Sequence, residues 1–171
     1  MASEQIQTGF AIDDNGLVLW VPTIANPEAP TVTELTAGTV VKLTGGLTPD
    51  GFSHAPTVNK VTSGRYALKQ VITLDGTVSD EVTLRYVYNR ETPTDVEDAI
   101  GTPGVDGNIV HILGYASGTT IIAGMICNAV IPVTTSISTD IPATANTEAT
   151  KEQKPNVRGT VAREVAVVAG A

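Results

Sequence analysis

Hydrophobic and polar residues alternate most cleanly between Asp80 and Tyr88. Val82, Leu84, Tyr86 and Tyr88 fall on one side of that stretch, and Glu81, Thr83, Arg85 and Val87 on the other. A period of two belongs to an extended strand with one buried side; a helix would scatter the same residues around its surface. Just upstream, Ala67 to Leu74 predicts a second strand, and Asp75-Gly76, followed by threonine, valine and serine, is turn chemistry that would fold the two together. The expectation is a central β-hairpin over residues 67–88.

The same reading carried along the chain predicts further strands. A polar arm, residues 1–15, ends in the turn Asp13-Asp14-Asn15-Gly16 and leads into Leu17-Val-Leu-Trp-Val21. Thr31, with Glu34 three positions on, has the spacing of a capping box for one helical turn. Thr39 to Thr44 predicts a second strand, Asn108 to Tyr115 and Thr119 to Thr134 two more, and Val157 to Val168 a long last one. Thr94 to Ile100, with acids near its start, predicts one or two helical turns. Two stretches lack apolar periodicity: residues 45–65, with Thr48-Pro-Asp-Gly-Phe52, and the Thr-, Ala- and Pro-rich connection 135–155. Long irregular segments are uncommon inside compact domains and usually have a function. A projecting loop over 45–65, ordering against a partner, is the expectation. The sum is a mainly β protein: a β-sandwich or barrel of about seven strands with one or two short helices, long loops and an N-terminal arm, all in one domain, residues 1–171.

Composition agrees. Valine, threonine and isoleucine are abundant, and 16 glycines and 10 prolines punctuate the chain. With 18 acidic and 10 basic residues the net charge is −8, which argues against adhesion to nucleic acid, since that attraction is carried by lysine and arginine on phosphates. The single cysteine, Cys127, lies in the apolar run 121–133 and reads as a buried hydrophobe. Met-Ala-Ser-Glu-Gln lacks the basic and apolar parts of a signal peptide, so synthesis and assembly in a cytoplasm are expected. No apolar run is long enough to anchor the chain in a membrane as a helix.

Candidate chemistry is thin. His54 and His111 lie in unlike contexts without ligands at metal spacing. Gly114-Tyr-Ala-Ser-Gly118 places its serine one position late for a nucleophile elbow. Gly101-Thr-Pro-Gly-Val-Asp-Gly107 lacks the Gly-Lys-Ser/Thr ending of a phosphate loop. The acids Asp13 and Asp14 lack calcium-loop spacing, and Asp95, Glu97 and Asp98 are too close in sequence to oppose one another across a substrate. No catalytic residue, metal site or cofactor is expected, and the chain does not read as an enzyme.

The succession of features resembles the major tail protein, the tail tube subunit, of long, non-contractile-tailed bacteriophages infecting actinobacteria. The residues that carry the resemblance are Trp20-Val-Pro-Thr-Ile-Ala-Asn-Pro-Glu-Ala-Pro-Thr-Val-Thr-Glu-Leu-Thr-Ala-Gly38, Leu47-Thr-Pro-Asp-Gly-Phe52, the alternating stretch 81–88, the glycine-bounded strand 108–115 and a terminal strand after Lys154-Pro155. The resemblance implies a virion protein that forms hexameric rings stacked into a tube, with itself, a tape-measure protein and other tail proteins as partners, and with genomic DNA passing through without sticking. Within that picture Asp50, Gly51 and Phe52 are candidates for a contact between rings or subunits. Asp75, Asp80, Glu81 and Glu91 are candidate acids of a lumen or interface. The competing reading is an immunoglobulin-like sandwich that binds or decorates a virion or cell surface; one tryptophan, two phenylalanines and four tyrosines leave it few aromatic platforms for sugars.

Overall fold

The computed structural model describes Gly9 and residues 15–66, 69–92 and 94–170. The expected arm over 1–15 therefore lies almost wholly outside the described residues. Ten strands form two antiparallel sheets, with two short helices, a composition consistent with the expected β-sandwich. The contacts group into two units. The first comprises Met1–Gly45, Gly107–Ile131 and Thr160–Ala171; the second, Gly46–Asp106 and Pro132–Gly159.

The first unit is built on β1 (Gly16–Val21), which pairs with β2 (Val41–Lys42) on one edge and β5 (Asp106–Leu113) on the other. Beyond β5 follow β6 (Ile126–Thr134) and β10 (Ala162–Ala166); β9 (Asn156–Val157), which belongs to the second unit, pairs with Val133 and Thr134 at the end of β6 that belongs there too. Leu17, Leu19 and Val21 join Leu35, Val110, Ile112, Cys127 and Val130 in one apolar cluster. Val18 and Trp20 point to β1's other face and are also buried. A strand buried on both faces reads as a continuous apolar run, as Leu17 to Val21 does. Trp20 covers Gly107 so closely that any side chain there would collide with the indole.

Helix α1 (Val32–Leu35) forms as the capping box predicts. The Thr31 hydroxyl accepts from the Glu34 N–H at 3.2 Å, and the Glu34 carboxylate accepts from the Thr31 N–H and Oγ1 and from the Ala25 N–H, each at 2.8 Å. Burial pushes the Glu34 carboxyl up, but the three donors together hold it below its ordinary value. A group with a depressed folded value contributes stability above the unfolded value of 4.5 and loses it as pH falls through the folded one. Glu34→Gln keeps the shape but turns one accepting oxygen into a donor. The variant should melt about 2–4 °C below wild type at pH 7, for about 1 kcal/mol in a protein of this size. In melts at falling pH the difference should shrink below pH 4.5, as the wild-type carboxyl takes up its proton.

In the second unit β3 (Leu47–Ser63) and β4 (Ile72–Val87) pair along nearly their whole length, and β8 (Thr150–Gln153) and β7 (Ser138–Asp140) follow beside β4. Two expectations are corrected here. Residues 45–65 are not a loop but mainly β3, preceded by a 3₁₀ turn, Thr44–Gly46. The strand is exposed on both faces from Ala55 to Thr62, so it carries no apolar alternation; its pairing with β4 holds it. Asp75-Gly76 is not a turn but lies inside β4. The register passes from Val58 opposite Val78 to Lys60 opposite Asp75, so β4 holds one extra residue at Gly76-Thr77, a β-bulge. Gly76 suits it because a Cβ would sit 2.8 Å from the Asn59 carbonyl oxygen. The hairpin is thus β3–β4; of its connection, Ala67 and Leu68 lie outside the described residues.

The remaining differences have local causes. The strand expected from Thr119 begins at Ile126 because Gly124, at φ +91°, turns the chain just before it. The long terminal strand is split into β9 and β10. Pro132 in the middle of β6 has no N–H to donate, and opposite it the chain leaves the ladder, with the Arg158 N–H bonded to the Pro132 carbonyl. The 135–155 connection contains β7 and β8; with β3 also gained, the expected strands 67–74 and 80–88 joined into β4 and the last strand split, the seven expected strands become ten among the described residues. Helix α2 (Asp95–Ile100) forms as predicted, with the Thr94 hydroxyl accepting from the Glu97 N–H.

Candidate assembly surface

The β3–β4 hairpin has a base and a free ribbon, and the two differ in every physical respect. At the base, Val82, Leu84 and Tyr86 are fully buried, as the alternation requires. On that same face Lys151 and Gln153 of β8 stand beside Tyr86 and Leu84, and α2 covers them. Gln153 donates to the carbonyls of Ile100 and Ser136 at 2.8 and 2.6 Å, tying the end of α2 to the approach to β7. Lys151 donates to Glu97 at 2.6 Å and lies 3.7 Å from the centre of the Tyr88 ring. The bond to Glu97 raises the Lys151 ammonium, and burial raises the Tyr86 phenol. The Ser138 side chain opposes the latter shift without closing a well-formed hydrogen bond: the Tyr86 hydroxyl, Glu97 Oε2 and Gln153 Oε1 are buried without partners among the described residues.

The opposite face of the base is polar, and its charges are matched. Arg85 bridges two carboxylates, Glu152 and Asp50, each at 2.7 Å, and Lys154 meets Glu81 at 2.7 Å. These contacts, led for Arg85 by Glu152 and for Glu81 by Lys154, raise the guanidinium and lower the Glu81 carboxyl. Asp50 is lowered by the Thr48 hydroxyl first, then by its own N–H and by Arg85. Between Leu47 and Phe52 the register slips, because Thr48-Pro-Asp-Gly51 fold out of the ladder opposite Arg85. Gly51 is packed against the backbone oxygens of Arg85 and Thr48, where a Cβ has no room. Phe52 is half-buried opposite Leu84.

Of the sequence-derived acids, Asp75 pairs with Lys60 in the ribbon and Glu81 with Lys154. Asp80 lies on the face of Val82 and Leu84 where that face meets the ribbon. Its carboxylate is 10% exposed, and His54 Nε2 lies 2.8 Å from it. Glu91 follows β4, exposed, its N–H bonded to the Asn89 side chain. The structure therefore spreads these acids over both faces of the hairpin and beyond its base; it does not bring them together.

From Ala55 to Ser79 the described residues of the ribbon are exposed on both faces, with Ser63 half-buried. Among the described residues no strand follows beyond β3, and β8 pairs with β4 only over Leu84–Val87, so both long edges of the ribbon carry backbone groups unpaired there. An isolated two-stranded ribbon is marginal in water, and an open edge is a template for another strand. Apolar side chains lie on it in the open: Val58 beside Val78 on one face, and Val61, Leu74 and Ile72 on the other. The sequence reading puts Ile72 and Leu74 in a strand but takes Val58 and Val61 for loop residues, although valine and threonine recur through Thr57-Val-Asn-Lys-Val-Thr62.

Elsewhere chemistry finds little purchase. Among the described residues no three His, Cys, Asp or Glu side chains converge as a metal site. Burial pushes the Cys127 thiol up to about 11. A groove of about 280 Å³ in the first unit, between Leu35, Val40, Lys42 and Ile121, is lined by apolar and threonine side chains. No helix among the described residues is long and apolar enough to cross a membrane.

The fold and this surface define a mainly β structural protein whose distinguishing element is an uncovered two-stranded ribbon. The chain belongs to the phage tail tube protein family, whose model matches residues 4–170. It is thereby a structural component of a phage tail. No curated protein matches the chain. Among solved structures it is similar to a chain in the cryo-EM structure of the anti-feeding prophage baseplate, six-fold symmetrised. There the identity is 10%, the TM-score 0.53, and the match covers 91% of this chain and 97% of that one. A likeness at that identity speaks for the fold.

Proposed function

We propose that the protein assembles with copies of itself into hexameric rings, which stack into the tube of a long, non-contractile tail and leave a passage for the genome. The observation that supports this most is the ribbon of β3 and β4, whose two open edges and exposed apolar pairs have no cover among the described residues. Edges of that kind are satisfied when strands of neighbouring subunits join them into a closed barrel, which removes every free edge at once. A tape-measure protein inside the tube and other tail proteins at its ends complete the set of partners. Assembly takes place in the host cytoplasm.

The charge pattern suits a passage. Glu81 and Arg85, on the polar face of β4, each meet an opposite charge, and the chain as a whole carries −8. A wall whose cations are held by its own carboxylates offers phosphates little to grip. In this reading that polar face lines the lumen or a subunit contact, with Asp75 and Asp80 further along the hairpin, Glu91 at its foot and Asp50-Gly51-Phe52 at the contact between rings.

Negative-stain electron microscopy of the purified protein at rising concentration tests the reading. Hollow rings about one subunit high, then tubes with six-fold end views, are expected. A species that stays monomeric at every concentration, with no particles larger than one chain, would sink it.

A further inference from the structure

The charges of the ribbon's end run against those of the rest of the molecule. Residues 57–74 hold Lys60, Arg65 and Lys69 and no acid, which leaves seven basic against 18 acidic residues elsewhere, a balance of −11. Lys60 is matched by Asp75, whereas Arg65 and Lys69, both exposed, have no ion pair among the described residues. Around them stand the exposed apolar side chains Tyr66, Val71 and Ile72. The tip is apolar and cationic, on a protein that is neither in general.

The complementary surface lies in the same unit. Glu91, Asp95 and Asp98 are exposed, and their carboxylates make no ion pair among the described residues, in contrast to Asp50, Glu81 and Glu97. Two exposed apolar side chains accompany them. Val105 donates its N–H to Thr135, whose hydroxyl reaches the Thr102 carbonyl just beyond α2. Ile137, 78% exposed, follows Ser136, whose carbonyl shares Gln153 with the end of α2. This flank is apolar and anionic.

One chain cannot bring the two together. Helix α2 sits at the base of β4, where Thr94 approaches the Val87 carbonyl and Lys151, opposite Tyr86, holds Glu97. The tip is fourteen residues away along β4, from Tyr86 to Ile72, roughly 45 Å at 3.3 Å per residue. Two unlike, mutually complementary patches on one subunit, too far apart to meet, make a head-to-tail contact between copies, and such contacts generate rings or stacks. We infer that the tip of the β3–β4 ribbon docks on the α2 flank of a second copy, with Arg65 and Lys69 facing Asp95 and Asp98 and with Tyr66 and Ile72 against Val105 and Ile137. This rests on the self-assembly proposed above and names the surfaces that carry it.

Charge exchange tests it. Arg65→Glu with Lys69→Glu, and separately Asp95→Lys with Asp98→Lys, should each raise the concentration for half-assembly at least tenfold in sedimentation at low salt. All four changes together should bring it back to within about threefold of wild type. Wild-type assembly should itself weaken as salt rises, since exposed charges are screened within about 10 Å at 0.1 M. Circular dichroism of each variant separates misfolding from lost docking, because all four side chains are exposed. Either paired reversal assembling like wild type overturns the inference, and so does failure of the fourfold variant to recover while it remains folded. Loss of binding to a short DNA duplex in Arg65→Glu with Lys69→Glu, with assembly intact, also overturns it in favour of a nucleic-acid contact. Failure of the tube reading looks different: there the wild type itself does not assemble.

Discussion

Cutting the ribbon back so that Val58 is joined to Val78 through Asn-Gly, with residues 59–77 removed, should yield a protein that folds and builds no tubes. Val58 and Val78 are directly paired, and Asn-Gly is the two-residue turn whose twist matches that of antiparallel strands. Almost everything removed is exposed on both faces, so little buried area goes with it. The unpaired backbone groups that invite a neighbouring strand go too. The melting temperature should stay within about 3 °C of wild type, on the scale of less than about 1 kcal/mol for a chain of this length. Electron microscopy should show isolated subunits at concentrations where the full chain forms tubes. Tubes that still grow from the shortened protein would place the assembling surface somewhere else. The shortened chain lacks Arg65 and Lys69 as well as the edges and the Val61–Leu74 pair, so it tests the ribbon as a whole, whereas the charge exchange tests its tip alone.

The largest loss of stability is expected in the other unit. Trp20 is 3% exposed in a strand buried on both faces, and Gly107 lies directly under its ring. Trp20→Ala should cost about 3–5 kcal/mol, the usual loss for a buried aromatic and a large part of the roughly 5–15 kcal/mol that holds a native domain together. Because Trp20 is the only tryptophan, unfolding must be followed by circular dichroism in urea, not by indole fluorescence. A second substitution sharpens the test. Gly107→Ala should destabilise the wild type by forcing the indole aside, yet cost much less in the Trp20→Ala background, where the space is empty. Equal cost in both backgrounds would mean that the glycine serves its backbone and not the ring.

What the sequence disclosed follows from where water is excluded. Val82, Leu84 and Tyr86 were legible because one face of β4 is buried at its base, and Leu17 to Val21 because both faces of β1 are. Thr31 and Glu34 were legible because a capping box is local, its partners three residues apart. The ribbon was not: a strand exposed on both sides obeys no apolar period, so Thr57 to Thr62 resembled a loop. Asp75-Gly76 carries the same chemistry in a turn and in a bulge, and only the register of the opposite strand distinguishes them. The α2 flank was equally hidden. Its frame is the contact of Glu97 with Lys151 and of Ile100 with Gln153, pairs more than fifty residues apart in the chain. Asp95 and Asp98 could be seen as a solvated acidic turn. Nothing local says that Ile137 and Val105 follow residues tied to the end of that same helix.

The extra residue at Gly76-Thr77 has a geometric consequence. Along an unbroken β4, Ile72 and Leu74 would share a side with Val82, Leu84 and Tyr86, all being even-numbered positions, and the strand would be sticky on one side only. The bulge reverses that parity: Val58 and Val78 continue the inner side, whereas Val61, Leu74 and Ile72 emerge on the reverse. A single inserted residue thus makes the hairpin two-handed, able to hold its own body with one side and greet a stranger with the other. Sidedness in such a strand is an inheritable setting, changed by adding or dropping one amino acid where glycine already tolerates the bend.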